Sequence, residues 1–119
     1  MSQWKVYEYA KCSTCKKALD YLDRKKIKYS KLPIADQPPT ETELREMLGY
    51  LGGNIKKLFN TSGIQYRELG MSEKLKTLSE AEALRLLSKN GKLVKRPFLL
   101  GDGKGTVGFK EDEWARLLK

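Results

Sequence analysis

The chain contains no histidine, and that absence removes whole classes of chemistry. Cys–His and Ser–His catalytic pairs need imidazole as the base, and zinc sites built on imidazole need it as a ligand. Zinc could bind only through Cys12 and Cys15 joined by two carboxylates or by cysteines of a second chain, so no bound metal or cofactor is expected. Long apolar runs are also lacking. No stretch approaches the roughly 18 consecutive apolar residues of a membrane span, and Met1 to Lys5 carries no apolar signal-peptide core. A cytoplasmic protein with no membrane partner is expected. Thiols are kept reduced in that compartment, which argues against a structural disulfide. Internal repeats and low-complexity tracts are missing too, so at 119 residues and 39% hydrophobic content the chain reads as one domain, 1–119, with one core.

Acidic residues are in the minority: 24 Lys+Arg stand against 15 Asp+Glu, a net charge of +9. Such a balance suits acidic partners, whether nucleic acid, an oxyanion substrate or an acidic protein surface. The cations are spread along the chain, grouped locally at Arg24-Lys25-Lys26 and from Lys92 to Arg96. Without a long basic run or interleaved aromatics, direct nucleic-acid binding is not expected.

What the chain does have is a single pair of cysteines, Cys12 and Cys15, in a C-x-x-C between an apolar run, Trp4 to Ala10, and a helical pattern. In strand–loop–helix context that spacing reads as a thiol–disulfide redox site. Side chains three apart on a helix share a face with Cβ atoms about 5–6 Å apart, near enough to bridge after a small adjustment.

The expected order of elements is βαβ, then helices, then ββα. A strand over Trp4 to Tyr9 leads into a helix from Thr14 to Arg24 with Cys15, Ala18, Leu19 and Leu22 on its apolar face, and then a strand from Ile27 to Leu32. Pro33 and Pro38-Pro39 close that unit. Thr40 and Glu43 form a capping box for a helix carrying Leu44, Met47, Leu48 and Leu51, which Gly52-Gly53 stops. Asn54 caps a short continuation, the pattern from Ile64 to Leu78 is weak, and Ser79 with Glu82 starts a helix ending at Asn90-Gly91. A strand Phe98–Leu100 turns at Gly101-Asp102-Gly103 into Thr106–Phe109, and Trp114, Leu117 and Leu118 dock a last helix. Removing the helical insertion at about 40–91 leaves a thioredoxin-like α/β arrangement, a mixed sheet flanked by helices.

In that arrangement Cys12 sits where free amides and the helix dipole favour a thiolate, with Lys11, Lys16 and Lys17 adding positive potential. Cys12 is therefore the expected nucleophile, and Cys15, one turn further on the apolar face, the resolving thiol. Ser13 and Thr14 are either hydrogen-bond donors to the thiolate or ordinary helix-start residues. Pro97, at the start of the third strand, is expected to face the cysteine in such a fold, and Arg96 beside it either pairs with an oxyanion or the thiolate or is an ordinary surface arginine.

The run Tyr9-Ala10-Lys11-Cys12-Ser13-Thr14-Cys15-Lys16-Lys17-Ala18, the Arg96-Pro97 step and the segment from Val107 to Trp114 resemble, in this order and over essentially the whole chain, the arsenate reductase family in its branch with Spx-type regulators. The resemblance implies that Cys12 attacks a small oxyanion or disulfide, with glutathione and glutaredoxin, or thioredoxin, as electron donor. Of the three oxyanion-binding arginines of the glutaredoxin-linked enzymes, Arg96 matches one. Asn60 stands in place of a second, and Gly105 to Phe109 contains none for the third. The Spx-type regulators imply instead a redox switch that binds the C-terminal domain of the RNA polymerase α subunit through a glycine near Gly52-Gly53. The end of the chain soon after its last helix, at Lys119, favours the oxidoreductase expectation over the regulator.

Overall fold

Strand β1 (Trp4–Glu8) is buried on both faces, Trp4 and Val6 to one side and Tyr7 to the other, because it runs through the middle of the sheet. The computed structural model of the chain describes residues 4–101 and 103–118. Met1 to Gln3, where the signal-peptide reading largely falls, Asp102 of the turn, and Lys119 lie outside the described residues. Helix α1 (Ser13–Arg24) and strand β2 (Tyr29–Pro33) complete a βαβ unit, with β2 parallel to β1 and Trp4 opposite Tyr29. Helices α2 (Glu41–Tyr50), α3 (Ile64–Glu68), α4 (Met71–Lys74) and α5 (Glu80–Lys89) follow, with 3-10 turns at Ile55–Leu58 and Gly91–Leu93. Strands β3 (Phe98–Gly101) and β4 (Lys104–Val107) and helix α6 (Glu111–Leu117) close the chain. The sheet order is β2-β1-β3-β4, with β3 antiparallel to both neighbours, which is the mixed thioredoxin-like sheet expected.

Both capping boxes form, each with reciprocal bonds: Thr40 with Glu43, and Ser79 with Glu82. Glycine stops α2 as expected, since Gly52 and Gly53 take φ of +75° and +81°.

The bounds of two strands move. The second strand begins at Tyr29 rather than Ile27, because Ile27 belongs to the end of α1. Its amide donates to the Leu22 carbonyl and the Lys26 amide to that of Asp23, with Lys26 at φ 57°, and Ile27 packs into the core that holds Leu22. The strand then runs through Pro33, which an edge position tolerates. The last strand is Lys104–Val107 rather than Thr106–Phe109. Gly108 at φ +73° turns the chain out of the ladder, its amide donating to the Pro97 carbonyl, and Phe109 stacks edge-on against Trp114 at 5.0 Å.

Two cores flank the sheet. On one face Trp4, Val6 and Leu99 meet Ala18, Tyr21 and Leu22 of α1 and Trp114 of α6. On the other, Tyr7, Phe98 and Leu100 meet the helices between β2 and β3, chiefly through Leu44, Met47, Leu84 and Leu87. Each fully buried aliphatic or aromatic side chain contributes roughly 1.5–3 kcal/mol. The intervening helices are tied to the strand approach by an antiparallel bridge between Phe59 and Val94, with the Lys95 amide donating to the Leu58 carbonyl and that of Asn60 to the Leu93 carbonyl.

Candidate active site

Cys12 is the N-cap of α1. Its backbone is extended (φ −97°, ψ 114°) and its Sγ accepts the Cys15 amide at 3.3 Å, the bond that a Ser or Asp oxygen makes at an ordinary cap. The Cys12 amide is itself held by the Tyr9 carbonyl, so β1 and the helix start fix the thiol from both sides. Cys12 is half-buried, Cys15 is 1% exposed, and both thiols are free.

The two sulfurs are pushed in opposite directions. At Cys12, burial opposes the thiolate. It is outweighed by hydrogen bonds from the Cys15 thiol and amide and by the Arg96 guanidinium, so the thiol titrates below its ordinary value. At Cys15, burial comes first and the hydrogen bond and charge of Cys12 add to it, so its thiol is pushed up to about 12. A cysteine held low beside one held high is the charge distribution that a nucleophile and a protonated partner require.

Cys12 opens onto a cleft of about 710 Å³ whose walls include Thr14, Asn60, Thr61, Lys95, Arg96 and Thr106. The Arg96 guanidinium lies 4.5 Å from the centre of the Tyr9 ring and donates to the Lys92 carbonyl at 3.4 Å. Tyr9 thus supports the arginine as a cation–π platform, a role that its place at the strand end did not signal. Pro97 is buried, and a cis peptide bond joins it to Arg96. It does not line the cleft; Arg96 does.

Of the other expected site residues, Thr14 reaches the cleft, whereas Lys11, Ser13, Lys16 and Lys17 are exposed and do not line it. The lysines of the helix start, expected to add positive potential, stand off the cleft. Cys15 and Ala18 take the inward face of α1, so Lys16 and Lys17 are turned to solvent, and Lys17 borders a separate groove with Asp20, Asp23 and Glu111. The amide that reaches the thiol is that of Cys15, not of Ser13 or Thr14. The cations on the cleft are instead Lys56, Lys57, Lys95, Arg96 and Lys110. The sequence signals for them were the Asn54 cap ahead of Lys56-Lys57 and the Lys95-Arg96 step. Asn60 and the stretch from Thr106 to Phe109, where the resemblance would have put two more arginines, line the same cleft. Among the described residues no group of three or more Cys, Asp or Glu converges as a metal site needs, and no helix is long and apolar enough to cross a membrane.

A thioredoxin-like sheet with a C-x-x-C at the first helix start and an arginine across the cleft defines a class, and comparison narrows it. Residues 7–117 match the model of the ArsC family, and the chain belongs to that family. It is 46% identical over 108 residues to the uncharacterized protein YusI of Bacillus subtilis, covering 91% of this chain and 92% of that one. A crystal structure described as a possible arsenate reductase from Streptococcus mutans superposes with a TM-score of 0.87 at 39% identity, over 97% of this chain and 99% of that one. The global transcriptional regulator Spx of Streptococcus mutans is 28% identical over 86% of this chain and 73% of its own length.

Proposed function

We propose that the chain is a thiol–disulfide oxidoreductase in which Cys12 attacks and Cys15 resolves. One observation carries the reading: the Cys12 Sγ accepts the Cys15 amide at the start of α1, beside Arg96, while the second thiol is buried one turn further on. The Cys12 thiolate attacks a substrate disulfide, whose S–S bond breaks; one half leaves as a thiolate and the other stays on Cys12 as a mixed disulfide. The Cys15 sulfur then attacks that of Cys12, its proton passing to the departing second thiol, and a Cys12–Cys15 disulfide forms. The substrate has gained two electrons, which glutathione with glutaredoxin, or thioredoxin, returns to the protein.

Arsenate fits this site less well than a disulfide. Each missing arginine removes a charge-assisted hydrogen bond of about 1.5–3 kcal/mol, at least tenfold in binding. Millimolar arsenate should therefore protect Cys12 only weakly from alkylation; tight, saturable protection would mean that the cleft lysines replace the arginines.

The test of the main reading is mutational. Cys12→Ser should abolish reaction with disulfides and alkylating reagents near neutral pH, and Cys15→Ser should leave a mixed disulfide on Cys12 that mass spectrometry traps. Equal reactivity of the two single variants would overturn it.

A second reading is favoured by the likeness to Spx: a redox-sensing regulator that binds the C-terminal domain of the RNA polymerase α subunit through the exposed loop at Gly52-Gly53. It expects co-elution with that domain, lost when Gly52 or Gly53 is replaced by a bulky charged residue. A stable complex together with no turnover would favour the regulator.

A further inference from the structure

The cleft is strongly cationic. Lys56 and Lys57 reach it from the 3-10 turn after α2, Lys95 and Arg96 from the approach to β3, and Lys110 from the cap of α6. The single carboxylate on it, Glu113, already faces Lys110 at 3.8 Å. Some cations elsewhere face acids: Lys5 with Glu43, Lys76 with Glu73, Arg85 with Glu41, and Lys17 and Arg24 in a groove beside Asp20 and Asp23. Among the described residues, no carboxylate makes an ion pair with Lys56, Lys57, Lys95 or Arg96. Five cations drawn from three separate segments thus share the cleft of one sulfur with a single carboxylate.

The cleft also continues. A second cleft of about 550 Å³ shares Asn60, Ser62 and Arg96 with the first, and Tyr9 and the 66%-exposed Ile64 border it. A small disulfide would occupy one of these spaces, whereas a polypeptide crossing Cys12 can use both.

We infer that the substrate disulfide is carried on an acidic polypeptide segment, whose carboxylates meet the lysines on one side of its cysteine and whose neighbouring residues run past Arg96 towards Tyr9 and Ile64. This rests on the thiol–disulfide reading above. Charge of one sign around a cleft raises encounter rates by roughly 10- to 1000-fold at low salt, and the Debye length of about 3 Å at 1 M salt removes the effect.

The test uses the whole reduced protein and short synthetic peptides, each with one cysteine activated as a 2-pyridyl disulfide. The Cys12 thiolate displaces pyridine-2-thione, whose absorbance reports the rate, and Cys15 then displaces the peptide as its free thiol, leaving a Cys12–Cys15 disulfide. A peptide with aspartates beside its cysteine should react about tenfold faster than one with lysines at low salt, and the ratio should approach one at 1 M salt. The double charge reversal K56E/K57E, which leaves three cations facing three carboxylates on the cleft, should bring the ratio close to one at low salt, while K16E/K17E, off the cleft, should not. Because each ratio is measured within a single variant, a general loss of activity does not mimic the result. Equal rates for both peptides would overturn the inference and leave the thiol reading intact; an equal effect of K16E/K17E would overturn it in favour of net charge. A small dicarboxylate disulfide, activated in the same way, reacting as fast as the acidic peptide would overturn the polypeptide assignment. Reaction with none of the disulfides would overturn both readings.

Discussion

The two faces of the sheet are built differently. Behind β1, one face is covered by α1 and α6 and packs around two tryptophans, Trp4 and Trp114. The other is covered by α2 to α5 and two 3-10 turns, packed through leucines, methionines and two phenylalanines. The first face carries the cysteines on a long regular helix whose N-cap is the reactive sulfur. The second contributes Lys56 and Lys57 and, through the Phe59–Val94 bridge, orders the approach that holds Lys95 and Arg96. Sulfur chemistry therefore belongs to the regular face and most of the cleft's charge to the irregular one, with Lys110 of the α6 cap added from the first, and the cleft lies at their seam. A helix N-terminus needs close to one backbone geometry to stabilise a thiolate, whereas a field of cations tolerates short, variable supports.

The strongest way to break this division is to empty one core at a time. Trp114→Ala removes a fully buried ring and its hydrogen bond from Nε1 to the Gly108 carbonyl, and should cost about 4 kcal/mol. Leu84→Ala on the opposite face should cost about 3 kcal/mol. Because Trp4 and Trp114 lie on one face while most helices lie on the other, tryptophan fluorescence and far-ultraviolet circular dichroism report the faces separately during urea unfolding. Coincident transitions are expected for both variants, since β1 and β3 are common to both cores. Separated transitions would mean that each face is stable by itself. A Cβ at Gly91 would overlap the Ile34 carbonyl oxygen, so Gly91→Ala should cost about 3 kcal/mol although it adds a single methyl.

The legibility of the chain divides along the same line. The C-x-x-C, both capping boxes, the glycine stop of α2 and the succession of elements along the chain are local signals, and each is present in the structure. The misjudged boundaries are those where a tertiary contact overrides a local pattern. Ile27 has strand character but is used to finish α1, and Phe109 is released from its strand by Gly108 in order to reach Trp114. The same holds at the site. Cys12 was legible from its place before a helix, but the cations around it were not, because Lys56, Lys95 and Lys110 are far apart in sequence and converge only in the fold. Lysines adjacent in sequence to the cysteines, read as adding positive potential, are exposed and lie off the cleft.

On the second face a polar tie joins the sheet to the helix that covers it. The Glu43 carboxylate accepts from Tyr7 Oη at 2.7 Å, from Lys5 Nζ at 3.0 Å and from the Thr40 amide at 3.1 Å, joining β1 to the start of α2. Burial favours its neutral form, but the bonds from Tyr7, Thr40 and Lys5 outweigh burial and hold its pKa below the ordinary carboxylate range. Its stabilisation is therefore complete above the unfolded value of about 4.3 and is lost as the pH falls through the lower folded value. Glu43→Gln should cost about 1 kcal/mol near pH 7, and the gap between variant and parent should close with acid. A gap independent of pH in urea titrations would show that the tie acts by shape rather than by charge.

The smallest expected effect tests the seam itself. Two supports lower the Cys12 thiol against its burial: the Cys15 thiol and amide, which belong to α1, and Arg96, which arrives from across the cleft. Arg96→Gln removes the second and leaves the first, so the midpoint of the pH profile for alkylation by a neutral reagent such as iodoacetamide should rise. The rate near pH 7 should fall by roughly threefold to tenfold, a modest change because the cleft is open to water and a partly solvated charge is screened. Arg96→Lys should fall between, keeping the charge but losing the planar stacking on Tyr9. The parent profile should also shift upward in high salt, and that of Arg96→Gln much less. If Arg96→Gln titrates as the parent does, α1 alone prepares the sulfur, and the charged wall acts only on what approaches it.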